Sequence, residues 1–181
     1  MVALLAVVAS CAQPPPQQPP EVKRYASPSG EINCQIPWVS PGLSVIENSD
    51  IGYESVAFVI ENGSVHTAER FEIAQHAWAE PPKAVPAKKR LEHIQKIYLS
   101  QVWVPRFEVV ETLVTDERKL NDAPARFIVV NAEQGQRGQH YGLLMFVRGS
   151  SQYVLQYTHP LIWGEKMIFA ALQEFYDKCE F

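Results

Sequence analysis

The sequence predicts an α+β domain: a largely antiparallel β-sheet built of hairpins and packed by two α-helices, one mid-chain and one C-terminal. Two observations lead to this class. Segments rich in β-branched and aromatic residues occur in pairs separated by turn residues, as in hairpins. Two other segments repeat apolar residues every three or four positions, which is the period of an α-helix. Strands that pair mostly as hairpins, with helices between them, favour an antiparallel sheet covered by helices.

The first predicted strands follow a turn at residues 27–30. Apolar side chains alternate over residues 31–36, which predicts a short strand with one buried face. Residues 55–60 are β-branched and aromatic, Asn62-Gly63 is a strong turn signal, and the chain returns over residues 65–73. This pattern predicts a hairpin.

A mid-chain helix is predicted after Pro86, which suits a first helical turn, and before Pro105, which ends the pattern. Its apolar residues lie three or four positions apart: Leu91, Ile94, Tyr98 and Val102. The segment therefore has the pattern of an amphipathic helix with one buried face.

The second half of the chain predicts four more strands and a terminal helix. Residues 107–114 and 126–130 are strand-like, and the polar residues 116–122 are expected to connect them. Another hairpin joins residues 141–147 to residues 153–157 around Gly149. The terminal helix is predicted from apolar residues at helical spacing: Met167, Ile168, Ala171, Leu172, Phe175, Tyr176 and Cys179.

The N-terminus carries the pattern of an export signal. Residues 2–8 are apolar, far fewer than the ~20 residues that a membrane-spanning helix needs. Val8-Ala9-Ser10-Cys11 follows and resembles the lipobox of bacterial lipoproteins, although no Lys or Arg precedes the apolar run. The resemblance implies cleavage before Cys11, a diacylglycerol on its thiol and an acylated amino terminus. The alternative is a buried N-terminal strand with an incidental free cysteine.

Residues 12–20 are rich in proline and glutamine and are expected to form an extended tether. We therefore divide the chain into a signal peptide (residues 1–10), a lipidated cysteine with its tether (residues 11–24) and one α+β domain (residues 25–181). Ala12, rather than aspartate, follows the cysteine, which under enteric-type sorting implies the outer membrane. The expected location is the bacterial cell envelope, anchored by lipid and facing the periplasm.

The order of predicted elements resembles the fold shared by the photosystem II accessory protein PsbP, the nuclear transport factor Mog1 and bacterial DcrB-type lipoproteins. Local likenesses are residues 27–30 before the first strand and residues 120–125 at a hairpin tip. No functional residue is carried over from these proteins. The resemblance implies a protein that binds partners or assists assemblies and has no shared chemistry.

Charge and motifs argue against several classes of function. The chain has 16 Lys and Arg against 20 Asp and Glu, a net charge of −4, with the cations scattered, so nucleic acid is not an expected partner. No zinc motif, phosphate loop or nucleophile elbow occurs, so no metal and no cofactor are expected. The five histidines stand alone in sequence, although the fold could still bring some together: His66, His76, His93, His140 and His159.

Carboxylates and tryptophans are the remaining candidate site residues. Glu108 and Glu111 fall on opposite faces of a strand, and Asp116-Glu117 is expected in a turn, so a carboxylate pair for acid–base catalysis is not indicated. The four tryptophans are candidate recognition residues, with core or rim packing the favoured alternative: Trp38, Trp78, Trp103 and Trp163.

Cys34 and Cys179 are predicted to form a disulfide. Three cysteines minus one lipidated leaves an even number, in a compartment where thiols oxidise. Cys34 lies on the apolar face of the first predicted strand, and Cys179 in the apolar stripe of the last predicted helix. The alternative is two unpaired buried cysteines that pack as small apolar side chains.

Two functions follow from these patterns. The favoured one is a non-enzymatic accessory lipoprotein that docks another envelope protein through its sheet or loops. The alternative is a hydrolase or ligand carrier whose site is assembled from residues distant in sequence, such as His140, His159 and Asp122.

Overall fold

The computed structural model describes residues 23–37, 43–50, 53–60, 69–77, 85–103, 108–134, 137–149, 151–158 and 164–181. Within these ranges the helical elements are α1 (Ala87–Ile97), a π-helical segment that continues it (Tyr98–Trp103) and α2 (Glu165–Asp177). The strands are β1 (Arg24–Ala26), β2 (Asn33–Gln35), β3 (Leu43–Asp50), β4 (Tyr53–Ile60), β5 (Glu69–Ala77), β6 (Val109–Leu120), β7 (Ala123–Gln134), β8 (Arg137–Arg148), β9 (Ser151–Thr158) and β10 (Cys179–Glu180).

Seven strands form one sheet in the order β3-β4-β5-β9-β8-β7-β6. Each neighbouring pair is antiparallel. Two meanders, β3 to β5 and β6 to β9, meet where β5 pairs with β9. A second, small sheet has the order β1-β2-β10, also antiparallel. The predicted α+β class with a largely antiparallel sheet and two helices is therefore confirmed.

The large sheet is covered on both faces. On one face α2 and the small sheet enclose a core that includes Phe58, Phe127 and Leu155. On the other face α1 encloses a core that includes Ile128, Leu143 and Val154. Since successive side chains of a strand point to opposite faces, central strands buried on both sides carry continuous apolar runs, as β7 does over residues 127–130.

The predicted stripes of both helices are buried in part, since Met167 is 54% exposed and Cys179 lies beyond α2. The buried residues of α1 are Leu91 and Ile94, and Tyr98 continues the stripe into the π-helical segment. Those of α2 are Ile168, Leu172, Phe175 and Tyr176.

The connection predicted over residues 116–122 is wrong. β6 continues to Leu120, and the turn consists of Asn121 and Asp122, both with positive φ (48° and 66°), as a two-residue type I′ hairpin requires. The polar run belongs to a strand because β6 lies at the edge of the sheet, where its side chains meet water. Asp116 and Glu117 are therefore strand residues, paired with Phe127 and Arg126, and do not form a turn.

The predicted return strand of the first large hairpin is present as β5. It pairs with β4 from Ile60 opposite Glu69 and runs to Ala77, beyond the predicted end at residue 73, while the predicted residues 65–68 lie outside the described residues. The predicted turn Asn62-Gly63 lies outside the described residues.

Three strands were not predicted: β1, β3 and β10. The strands β1 and β10 are three and two residues long, too short to show a period. β3 is eight residues long, but its largest apolar side chains, Val45 and Ile46, are adjacent in sequence, so no alternation is visible.

Candidate docking surface

The Cys34–Cys179 disulfide is present, which confirms the predicted pair. The two residues are directly opposite each other in β2 and β10, with their Cα atoms 4.0 Å apart. The Gln35 amide donates to the Lys178 carbonyl in the adjacent pair, so the cysteines occupy a non-hydrogen-bonded position, where side chains approach most closely. The expected strand-to-helix geometry is wrong, because Cys179 follows α2 and lies in a strand.

The disulfide belongs to the core under the small sheet. Ile32 and Cys34 are fully buried there. Tyr25 of β1 packs edge-to-face on Phe58 of the large sheet, with ring centroids 5.8 Å apart. The small sheet is therefore a packed layer that fixes both ends of the folded chain against the large sheet.

The predicted recognition tryptophans are largely beyond the described residues. Trp38, Trp78 and Trp163 lie outside them, as does Cys11. Trp103 ends the π-helical segment after α1, and its side chain is not described. Their role in recognition stays a prediction.

The alternative catalytic trio does not assemble from the residues that can be placed. Asp122 is in the β6–β7 turn, whereas His140 pairs with Asn131 on β7. Nine residues of β7 separate these positions, about 30 Å at ~3.3 Å per residue. His159 lies outside the described residues. In the described part of the chain, no group of three or more His, Cys, Asp and Glu residues is placed to hold a metal ion.

His76 is the histidine with a distinctive environment. It is half-buried on β5 and packs between Tyr53, at a ring-centroid distance of 4.8 Å, and Tyr98, at 6.2 Å. Burial lowers the pKa of His76 below its ordinary value, because the charged imidazolium is poorly solvated there. This environment favours a neutral, structural histidine.

A cavity of about 480 Å³ lies between α1 and the β6–β7 hairpin. Its most buried polar side chain is Arg126, whose Nη1 donates to the Gln95 Oε1 at 2.7 Å. The other terminal nitrogen, Nη2, lies 3.6 Å from carboxylates of Glu92 and Glu117. Lys88 also pairs with Glu117 and lowers the pKa of that carboxyl. The charges around this cavity are thus largely paired within the chain.

The two edges of the large sheet differ in character. β6 carries charges of both signs, with an Asp116–Arg118 ion pair along the strand. Its register shifts between Thr112 and Val114, so a bulge interrupts the ladder. Edge charges and bulges are the devices by which proteins discourage pairing with another strand.

β3, the opposite edge, has no bulge, and its charged side chains are the acidic Glu47 and Asp50 alone. Its eight residues pair with β4 in continuous register, from Leu43 opposite Ile60 to Asp50 opposite Tyr53. Seven of its eight residues are exposed, and Val45 and Ile46 are 43% and 44% exposed on opposite faces of the sheet. No other described strand pairs with its outer side. A long, regular and partly apolar edge of this kind is a surface for pairing with another strand.

The surroundings of β3 are acidic. Glu47 accepts a hydrogen bond from Tyr25, and burial together with this contact raises the pKa of the tyrosine hydroxyl. Glu54 of β4 accepts a hydrogen bond from the Ser29 hydroxyl at 2.6 Å. A cavity of about 420 Å³ at this end of the strands is lined by Glu31, Asp50 and Glu54 among others. The edge therefore combines apolar side chains with carboxylates.

Sequence reasoning missed this surface because it missed β3 itself. The acidic and polar half of the strand, Glu47 to Asp50, has the composition of a loop. One local signal was available: Tyr53 to Ile60 is an apolar and aromatic strand, and a strand buried on both faces requires a neighbour on each side.

No helix among the described residues is long and apolar enough to cross a membrane.

Comparison with known proteins identifies the fold. No family model matches the chain, and no curated protein sequence matches it. Among solved structures, the cyanobacterial PsbP (CyanoP) of Synechocystis is similar over 94% of this chain and 98% of its own, at 7% identity and a TM-score of 0.58. A protein of Bacteroides thetaiotaomicron is similar over 88% of this chain at 13% identity and a TM-score of 0.55. This chain spans about half the length of that protein, 48%. The class that these structures define is a PsbP-like α+β fold, as the order of elements predicted.

Proposed function

We propose that this chain is an exported, lipid-anchored accessory module with no catalytic role, which docks another protein of the cell envelope. The observation that carries the proposal is the Cys34–Cys179 disulfide, in which Cys34 is fully buried and Cys179 partly buried. Stable disulfides are typical of exported proteins and rare in the cytosol. Because these two cysteines pair with each other, Cys11 is left for lipidation.

The N-terminal segment supports the anchoring part of the proposal. Cys11 follows an apolar run and two small residues in a pattern that resembles a lipobox. Two or three acyl chains give stable membrane binding, whereas one alone is marginal. The proline-rich residues 12–20 would add a reach of about 28 Å, at ~3.1 Å per residue in a polyproline helix.

The accessory role is supported by the fold and by the exposed edge of the sheet. PsbP-like domains, by the resemblance stated above, bind partners or assist assemblies. The β3 edge offers apolar side chains and an outer side with which no described strand pairs, which suits protein recognition better than it suits catalysis.

The experiment that tests anchoring replaces the lipid acceptor. The Cys11→Ser chain is expected to leave the membrane fraction and to appear in the soluble periplasmic fraction with an unchanged thermal midpoint, because lipid and fold are separate modules. Wild-type chain and a Ser10→Ala variant, which keeps a small residue before the cysteine, are the controls. Retention of the Cys11→Ser chain in the membrane fraction at wild-type level would contradict the proposal.

A further inference from the structure

β3 is an edge of the large sheet, because no strand in the described ranges pairs with its outer side. An edge strand exposes unpaired N–H and C=O groups, and an added strand satisfies them with main-chain hydrogen bonds. In β3 the register with β4 is unbroken over all eight residues, so the free groups follow one another at regular spacing. The bulged and charged edge at β6 lacks this regularity.

The side chains of β3 indicate what an added strand must carry. Val45 and Glu47 share the face of α2, while Ile46 lies on the face of α1. A pairing strand would therefore meet an apolar side chain on each face and a carboxylate beside one of them. Cross-strand pairs of β-branched residues and of opposite charges are the stabilising combinations.

Charge decides between a second copy of this chain and a different partner. β3 and β4 together contain Glu47, Asp50 and Glu54 and no Lys, Arg or His. Two β3 strands paired antiparallel around their centre would bring their Glu47 carboxylates near each other, and like charges across strands destabilise a pair. A strand that carries Lys or Arg would instead form favourable pairs.

We propose that β3 is a β-augmentation site, which takes up an extended segment of another protein with β-branched residues opposite Val45 and Ile46 and Lys or Arg opposite Glu47. This inference rests on the docking role proposed above and names the surface and the partner chemistry. It does not depend on the lipid anchor.

The test uses synthetic peptides of the length of β3 and the full chain with Cys11→Ser and its disulfide formed. One peptide carries β-branched residues opposite Val45 and Ile46 and lysine opposite Glu47 and Asp50, and its matched partner has glutamate in place of each lysine. Chemical-shift mapping of backbone amides is expected to show the cationic peptide on residues 43–50 and to show weaker binding of the acidic one. The expected difference is roughly tenfold in Kd, from the cross-strand charge pairs with Glu47 and Asp50.

Charge reversal on the protein sharpens the result. Glu47→Lys is expected to invert the preference, so that the acidic peptide binds more tightly. Ser49→Lys, on the same face two residues away, should reduce the preference while leaving the Glu47 contact with Tyr25 in place. Glu111→Lys, the same change on the exposed β6 edge, should leave it unchanged and is the matched control.

Three outcomes would overturn the proposal: no shifts at β3 with either peptide, equal binding of both peptides, or a preference that neither β3 variant alters. Sedimentation that shows a dimer of the unliganded chain, lost on Glu47→Lys, would assign β3 to a second copy and also overturn it. Failure of the fractionation test would contradict lipid anchoring alone, so the two results are distinguishable.

Discussion

At the scale of single residues, Gly142 sets how closely α2 approaches the sheet. It lies on β8 directly beneath the helix, and a Cβ built there would be 2.1 Å from the Ile168 Cγ2 and 3.0 Å from the Leu172 Cδ1. Ile168 is 3% exposed, so it has little room to move. Glycine is needed at this position because of helix–sheet contact, and not because of backbone conformation.

Gly142→Ala is therefore expected to lower the free energy of unfolding by about 1–3 kcal/mol through overpacking. Denaturant unfolding measures it. In the double variant Gly142→Ala, Ile168→Ala, the loss of unfolding free energy should be smaller than the sum of the losses in the two single variants, because removing the Ile168 side chain removes the clash. Gly164→Ser adds a Cβ where no atom lies within 4 Å and should change stability by less than about 0.5 kcal/mol. If the losses of the two single variants simply add, a Cβ at position 142 does not clash with Ile168 and the prediction is wrong.

His76 is expected to make the fold sensitive to mild acid. Burial lowers its pKa in the folded chain, whereas the unfolded chain takes up the proton near pH 6.5. Between these two values the unfolded state binds more protons, so the free energy of unfolding falls as pH decreases below about 6.5 and is fully retained above it.

The measurement is denaturant unfolding between pH 8 and pH 5. His76→Phe, which keeps an aromatic ring between Tyr53 and Tyr98 but cannot be protonated, should flatten this part of the profile. His93→Gln, on the exposed side of α1, should leave the slope as it is. An unchanged slope in His76→Phe would assign the acid sensitivity to other groups.

At the scale of elements, the small sheet depends on its covalent link. β2 and β10 are three and two residues long, and strands this short are not stable by themselves. The disulfide spans a sequence separation of 145 residues, so it closes almost the whole domain into one loop. In the chain-entropy model a loop of this length is worth up to about 5 kcal/mol, mostly through the unfolded state.

Reduction of the Cys11→Ser chain is therefore expected to lower its free energy of unfolding by about 2–5 kcal/mol, seen as a lower thermal midpoint in reductant. The Cys34→Ala, Cys179→Ala chain should start at the lower midpoint and not respond to reductant. Two reactive thiols in denatured, unreduced Cys11→Ser protein from the periplasm would contradict the disulfide.

At the scale of the whole molecule, the large sheet lies between two layers, α1 on one face and α2 with the small sheet on the other. The strands β5, β7, β8 and β9 contribute side chains to the cores on both faces. The halves before and after α1 meet where β5 pairs with β9. Among the strands that the structure describes, this arrangement leaves β3 and β6 as the two edges of the large sheet. The docking proposal is therefore a consequence of strand order and not of any sequence motif.

The sequence by itself determined the class, the order of most elements and the cysteine pair. Alternation and helical spacing are local properties, so they identified β4, the β8–β9 hairpin, α1 and α2 before any contact was known. The cysteine pair followed from parity, on the expectation that Cys11 is lipidated and that the chain is exported to an oxidising compartment. The boundaries of β6 and the position of Cys179 were wrong, because a polar edge strand has the composition of a loop and a two-residue strand has no period.

Only the tertiary structure decided which strand is an edge, where the disulfide lies in the fold and that Asp122 and His140 are far apart. Strand order depends on pairing between segments remote in sequence, such as β5 with β9, and that pairing is selected by burial of whole faces. A residue pattern records the period of its own segment. It does not record which neighbouring strand pairs with the backbone N–H and C=O groups on either side. For this reason the exposed edge at β3 appears only in the folded chain.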